Sequence, residues 1–67
     1  MIATAENLKR LRQLACMSQF DLANELNVAQ SQISMWERGM DPSLMSTIKI
    51  CDVFGISLDE FVGRKHE

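Results

Sequence analysis

Between Ser18 and Gly39 two helical patterns follow one another with only Asn27, Val28 and Ala29 to join them. The first opens as SQFD, with Ser18 and Asp21 at capping-box spacing. There a hydroxyl and a carboxylate each satisfy a backbone N–H that the first helical turn leaves orphaned. Leu22, Ala23 and Leu26 recur on one face at helical period. Asn27 tolerates the left-handed conformation that a tight helix exit needs. The second pattern runs from Gln30 to Arg38 and is stopped by Gly39. A link this short obliges the two helices to cross at a steep angle and pack on each other. Ala23 is small enough to allow close approach, and Leu22, Leu26, Val28, Ile33 and Trp36 are placed to lock the crossing.

Helical punctuation recurs along the rest of the chain. The spacing predicts helices over roughly 5–16, 18–26, 30–38, 44–54 and 58–62. Thr4 is the expected cap of the first helix, with Leu8, Leu11 and Ala15 on its inner face. Met17 and Leu22 have the spacing of a hydrophobic staple. Ser43 is the expected cap of the fourth helix, whose inner face reads as Leu44, Thr47, Ile48, Cys51 and Phe54, with Gly55 as its stop. Ser57 and Glu60 repeat the capping-box pattern before Leu58, Phe61 and Val62, and Gly63 closes that helix. Residues 64–67 read as a frayed tail. No strand-like alternation of useful length interrupts this, so the fold class is all-α, a compact five-helix domain.

At 67 residues the chain has the length of one small domain, 1–67, and buries about 60% of its unfolded surface. Two cysteines, Cys16 and Cys51, are too few for a disulfide scaffold and read as reduced thiols of a cytosolic protein. His66 has no metal-ligating neighbour at useful spacing, so no metal or cofactor is expected. The N-terminus does not read as a signal peptide, and no apolar run approaches the roughly 20 residues that cross a bilayer. The expectation is a cytoplasmic domain with no membrane role. No nucleophile–base pair or paired carboxylates emerge, which points away from an enzyme.

Two charges sit on apolar stripes. Arg12 shares the face of Leu8 and Leu11, and Glu37 lies beside Ile33 and Trp36. A lone buried charge costs several kcal/mol unless paired. The expected solution is that Arg12 and Glu37 meet and tie the first helix to the third.

The opposite face of the third helix is equally unusual. A solvated face commonly carries Lys and Glu, whereas Gln30, Ser31, Gln32, Ser34 and Met35 precede a single cation, Arg38. Short amides and hydroxyls suit base edges: Gln pairs with adenine N6 and N7, Ser donates or accepts, and Met rests on a thymine methyl. Joined to the short Asn27–Ala29 link, this is the spacing of a helix-turn-helix, whose second helix enters the DNA major groove.

The segments NLKRLRQL, SQFDLANELNV, QISMWERG and PSLMSTIKICDVFGISLDEF together resemble the phage repressor and Cro family of helix-turn-helix proteins, also called the XRE family. The resemblance extends from Asn7 to Val62. It implies a lambda-repressor-like five-helix domain that binds operator DNA, usually as a dimer. By position it assigns base contacts to Gln30, Ser31, Ser34 and Met35, a backbone contact to Arg38, and to Gln19 both a phosphate contact and a buttress for the recognition helix. It also places the family's interhelical ion pair at Arg12 and Glu37. Arg10 and Gln32 are further candidates for phosphate contact. The chain departs from the family at Cys16, where Gly is favoured, at Ala29, where a capping Ser or Thr is common, and at Leu14 and Phe20, which replace polar residues.

The expected partner is double-stranded DNA, bound by a homodimer that forms in solution or on the operator alone. Met40, Leu58, Phe61 and Val62 supply more apolar surface than one small domain hides. The expected protein is a transcription regulator consisting of little more than its DNA-binding domain, associated with the nucleoid. The net charge of −2 favours a rival: the same fold used as a protein-interaction module with weak or no DNA binding.

Overall fold

The structure, a computed structural model, describes residues 4–63. Five helices are present among them and no strand: α1 (Thr4–Leu14), α2 (Gln19–Leu26), α3 (Gln30–Glu37), α4 (Leu44–Phe54) and α5 (Leu58–Val62). The expected tail, 64–67, lies outside the described residues.

Local chemistry sets the helix ends. Ser18 Oγ accepts from the Asp21 amide, and Asp21 Oδ2 accepts from the Ser18 amide, at 3.0 and 2.9 Å. Those bonds hold the exposed Asp21 carboxyl below its ordinary range, because they favour the ionised form. Ser57 and Glu60 repeat the reciprocal pair at the start of α5. Ser43 Oγ accepts from the Ser46 amide at the start of α4. Asn27 closes α2 at φ 57° and its N–H reaches back into the last turn.

The first helix ends earlier than its apolar spacing suggests. It stops at Leu14 rather than near Cys16, because Cys16 takes a left-handed φ of 57°. A side chain in that region carries a strain that glycine does not. Ala15 is consequently exposed and not part of the inner face. Thr4 lies within the first turn of α1. Smaller differences at α2 and α3 are of one residue: Ser18 caps α2 from outside, and Arg38 caps α3.

The core comprises Leu8, Leu22, Ala23, Leu26, Ile33, Trp36, Ile50, Cys51 and Phe61, with Leu11, Met17, Val28, Phe54, Ile56 and Val62 packed around it. α3 packs on α1 and α2, while α4 packs on α2 and α5. Asn7 Nδ2 donates to the Phe61 carbonyl at 2.7 Å and fastens α1 to α5. Burial pushes the Cys51 thiol up, reinforced by the charges of Asp52 and Glu60, so it behaves as a small hydrophobe.

α4 is rotated relative to the sequence expectation. Leu44 and Ile48, expected inside, are 68% and 39% exposed. Ile50, absent from the expected face, is fully buried beside Cys51. Apolar residues occur all round this helix, so its period alone does not select one stripe. The arrangement predicts a contrast measurable by urea denaturation. Ile50→Ala lowers stability by about 2–5 kcal/mol through the cavity it leaves. Leu44→Ala changes it by about 0.5 kcal/mol or less. The reverse order would contradict the orientation of α4.

Candidate nucleic-acid interface

The site is built on α3, and α3 is held by charge. Arg12 Nε donates to Glu37 Oε2 at 2.7 Å, and Arg12 Nη2 donates to Oε1 at 3.0 Å. Arg12 Nη1 donates to the Met17 carbonyl at 2.8 Å. One guanidinium therefore joins α1, the α1–α2 turn and α3. The side chains of Arg12 and Glu37 are 12% and 5% exposed. Their fork-to-fork geometry is the arrangement in which an Arg–carboxylate pair is strongest.

The ionisation of the pair follows from these contacts. Burial by itself would push the Glu37 carboxyl up. Hydrogen bonds from Arg12 and Gln19, with the charges of Arg12 and Lys9, outweigh it and hold the group below its ordinary range. The hydrogen bond to Glu37 likewise raises Arg12 further, against the desolvation that opposes it. Both groups are charged near neutral pH.

A second layer leads outward. Gln19 Nε2 donates to Glu37 Oε1 at 3.3 Å, and Gln30 Nε2 donates to Gln19 Oε1 at 3.4 Å. Gln19 is half-buried and Gln30 exposed. The side-chain chain thus runs from the ion pair to the first residue of α3. Periodicity does not reveal the Gln19–Glu37 bond, because its partners are 18 residues apart on different helices. The Met17 carbonyl is equally silent in sequence, since every residue has one.

On the remainder of α3, Ser31 and Arg38 are exposed, while Gln32, Ser34 and Met35 are half-buried. Ile33 and Trp36 lie in the core. Arg38 Nε folds back onto the Ser34 carbonyl at 3.3 Å. Arg10 is exposed on α1, where Nη2 donates to Asn7 Oδ1 at 3.3 Å. Ala29 opens α3 without a side-chain cap, and in that first turn the Gln32 amide donates to the Ala29 carbonyl at 3.0 Å. At α2 the capping box already engages the amides of Ser18 and Asp21. Chemically the surface offers amide and hydroxyl groups with one cation, on a helix fixed from below.

Two helices joined by a three-residue turn, the second packed on the first and on α1, define a helix-turn-helix domain. A helix-turn-helix family model matches residues 8–61. The chain belongs to the phage repressor and Cro, or XRE, family of helix-turn-helix proteins. Among solved structures it is similar to a transcriptional regulator from Listeria innocua (TM-score 0.90, 29% identity), which covers all of this chain and 64% of that one. It is similar to the N-terminal DNA-binding domain of the master biofilm regulator SinR from Bacillus subtilis (0.79, 30% identity, 100% of this chain and 97% of that one). It is also similar to part of FeII HppE solved with its substrate (0.79, 28% identity, 88% of this chain and 34% of that one). The chain therefore spans less than two thirds of the Listeria regulator and about a third of HppE. No match emerges among curated protein sequences.

The ion pair yields two expectations. Arg12→Met or Glu37→Met alone destabilises the fold by about 3–5 kcal/mol, because each leaves a buried charge unpaired. The double variant costs markedly less, and a double-mutant cycle by urea denaturation reads the difference. The second concerns acid. Glu37 has a folded pKa below its unfolded value of about 4.5, so the unfolded state binds more protons between the two. Its contribution is complete above that value and is lost as pH falls through the folded pKa. Urea midpoints from pH 6 to 3 fall more steeply for wild type than for Glu37→Gln.

Proposed function

We propose that this chain is a sequence-specific DNA-binding transcription regulator that reads operator DNA by placing α3 in the major groove. The observation that carries the reading is the division of α3. Ile33 and Trp36 are buried, Glu37 is locked to Arg12, and Gln30, Ser31 and Arg38 are left at the surface. Ser34 and Met35 are half-buried and lie at the edge of the reading face, where short side chains let the helix approach base edges. Gln30, Ser31, Ser34 and Met35 are the base-reading set. Gln19, Gln32, Arg38 and Arg10 are the phosphate-facing set, with Gln32 at its margin. One structural relative supports this: SinR, similar at 26% identity and TM-score 0.80, has been solved in complex with DNA.

Dimerisation belongs to the same reading, but the surface differs from the one expected. Of the expected set, Met40 and Leu58 are exposed, Phe61 is fully buried and Val62 half-buried, while Leu44, Met45, Ile48 and Val53 on α4 are exposed as well. Lys49 and Asp52 are exposed on the same outward side of α4. Two copies crossing antiparallel on α4 would set Lys49 of one against Asp52 of the other, which favours a second copy as the occupant. Recognition helices would then lie about 34 Å apart. The reading makes the chain a cytoplasmic, non-catalytic domain, with 1–67 acting as one unit.

The rival, a protein-interaction module, draws on Leu14 and Phe20, which are 74% and 60% exposed beside the α1–α2 turn. Selection from a random DNA pool separates the two. The regulator enriches two half-sites about one helical turn apart. Gln30→Ala relaxes preference at one or two positions by about 1–3 kcal/mol. The log–log salt slope corresponds to roughly two to four ions per subunit, since few cations flank α3. Failure to enrich any sequence at low salt would leave the interaction module in possession of the fold.

A further inference from the structure

We propose that Leu14 and Phe20 form a contact surface for a second copy of this chain bound to the adjoining stretch of DNA. It is separate from the α4 face that pairs two subunits on one site. The contact between copies is a property of the surface itself, and its setting on DNA rests on the groove reading above.

The α1–α2 turn brings the two side chains together. Leu14 is the last residue of α1 and Phe20 the second of α2. Between them the Cys16 amide donates to the Gln13 carbonyl and the Met17 amide to the Arg12 carbonyl, each at 3.0 Å. Arg12 Nη1 closes the same turn on the Met17 carbonyl at 2.8 Å. The start of α2 is thereby held against the end of α1. Both side chains are more than half exposed, and neither packs on the core.

The charges around the patch decide what can cover it. Arg10 lies one turn before Leu14 on the same face of α1 and is exposed. Its guanidinium has donors to spare beyond the bond to Asn7. On α2, Asp21 follows Phe20 and Glu25 lies one turn beyond Asp21, both exposed. This acidic outer side repels phosphate, so neither DNA nor an anionic membrane suits Phe20. A second copy does suit it. About a two-fold axis through the patch, α1 of one copy crosses α2 of the other. Leu14 then meets Phe20 and Arg10 faces Asp21, and each contact occurs twice, as an isologous interface requires.

Area decides where the contact operates. A stable specific interface buries about 1,200–2,000 Å² in total, and one fully covered Phe supplies about 150–250 Å². Two Leu–Phe pairs fall short of that, so they do not hold free molecules together. On DNA the neighbour is already at hand, at an effective concentration on the order of millimolar. Dimers on two adjoining palindromes face one another across a second two-fold axis, which is the symmetry of this patch. The consequence is cooperative filling of adjacent sites.

Tandem copies of the selected site, with spacers stepped through one helical turn, test this by quantitative footprinting against a single site. At the best spacer, wild type fills the second site about tenfold more tightly than the first. Leu14→Ser with Phe20→Ser keeps single-site affinity and loses that factor. Independent filling by wild type at every spacer overturns the proposal and leaves the groove reading intact. Loss of single-site binding by the folded double variant would place the patch inside one site and overturn it too.

Charge gives a readout that a foreign partner would not reproduce. Asn24 is exposed one turn after Phe20, on the side that meets Arg10 of the neighbour. Asn24→Glu raises the cooperativity factor and Asn24→Lys lowers it, each measured against its own single-site affinity. Equal factors in the two variants would show that the neighbour does not present Arg10, against the proposal. The free protein supplies a reading without DNA: backbone amide resonances of the α1–α2 turn shift as wild type is concentrated to millimolar, and stay put in the double Ser variant. If they shift but no DNA sequence is enriched, the groove reading fails and takes the cooperative role with it, while the contact between copies stands. If they stay put in wild type and tandem sites fill independently, the patch belongs to a foreign protein and the proposal is overturned.

Discussion

The Arg12–Glu37 pair is the interaction on which the rest of this structure depends. α3 has eight residues, too few to be stable as an isolated helix. It starts at Ala29 without a side-chain cap, which forgoes about 1 kcal/mol relative to Ser or Thr. Ile33 and Trp36 hold it down, but two hydrophobic anchors leave rotation about the helix axis loosely determined. A bidentate pair at 2.7 and 3.0 Å removes that freedom, because the guanidinium fork accepts the carboxylate in one plane. Lysine could neutralise Glu37 without imposing that plane. It could not reach the Met17 carbonyl from the same rigid fork. A buried pair is weak evidence for net stability; what this geometry adds is a defined link between α1, the α1–α2 turn and α3.

Much of the fold was legible because its signals are local. Ser18 with Asp21 and Ser57 with Glu60 are capping boxes whose chemistry is complete within four residues. Asn27 and Gly55 mark left-handed exits for similarly local reasons. The rotation of α4 was not legible. Leu44, Met45, Ile48, Ile50, Cys51, Val53 and Phe54 surround the helix, and two stripes satisfy the period equally well. Packing on α2 and α5 chose Ile50, Cys51 and Phe54, a decision made between elements and invisible within one. The early end of α1 has the same character: nothing about Cys16 as a residue type announces a left-handed backbone.

The candidate site divides along the same line. Arg12 and Glu37 stood out because a charge on an apolar stripe demands an explanation. The polar face of α3 stood out through its lack of charge. The family resemblance implies that Gln19 supports the third helix, but composition and spacing do not mark the bonds from Gln19 to Glu37 and from Gln30 to Gln19, since amides are common on a helix surface. They become visible when distances identify which end of each amide meets which neighbour. Side-chain networks between helices are a product of tertiary placement, and composition or spacing carries little of that information.

The electrostatic character of the chain turns this geometry into a functional constraint. A net charge of −2 and a face with Arg38 as its flanking cation give DNA little long-range attraction. Less of the binding free energy can then come from counterion release, the part that ignores sequence. On the proposed groove reading a larger share would come from hydrogen bonds at base edges, where a misplaced side chain forfeits the bond and leaves a buried polar group unsatisfied. A strongly basic domain tolerates such errors because phosphate contacts hold it in place regardless. On the proposed reading, accurate placement of α3 matters more here, and the groups that fix it lie beneath that helix, between α1 and α3. The buried ion pair and the exposed glutamine are joined by side-chain hydrogen bonds through Gln19, so the surface of α3 is tied to the contact that fixes the helix from below.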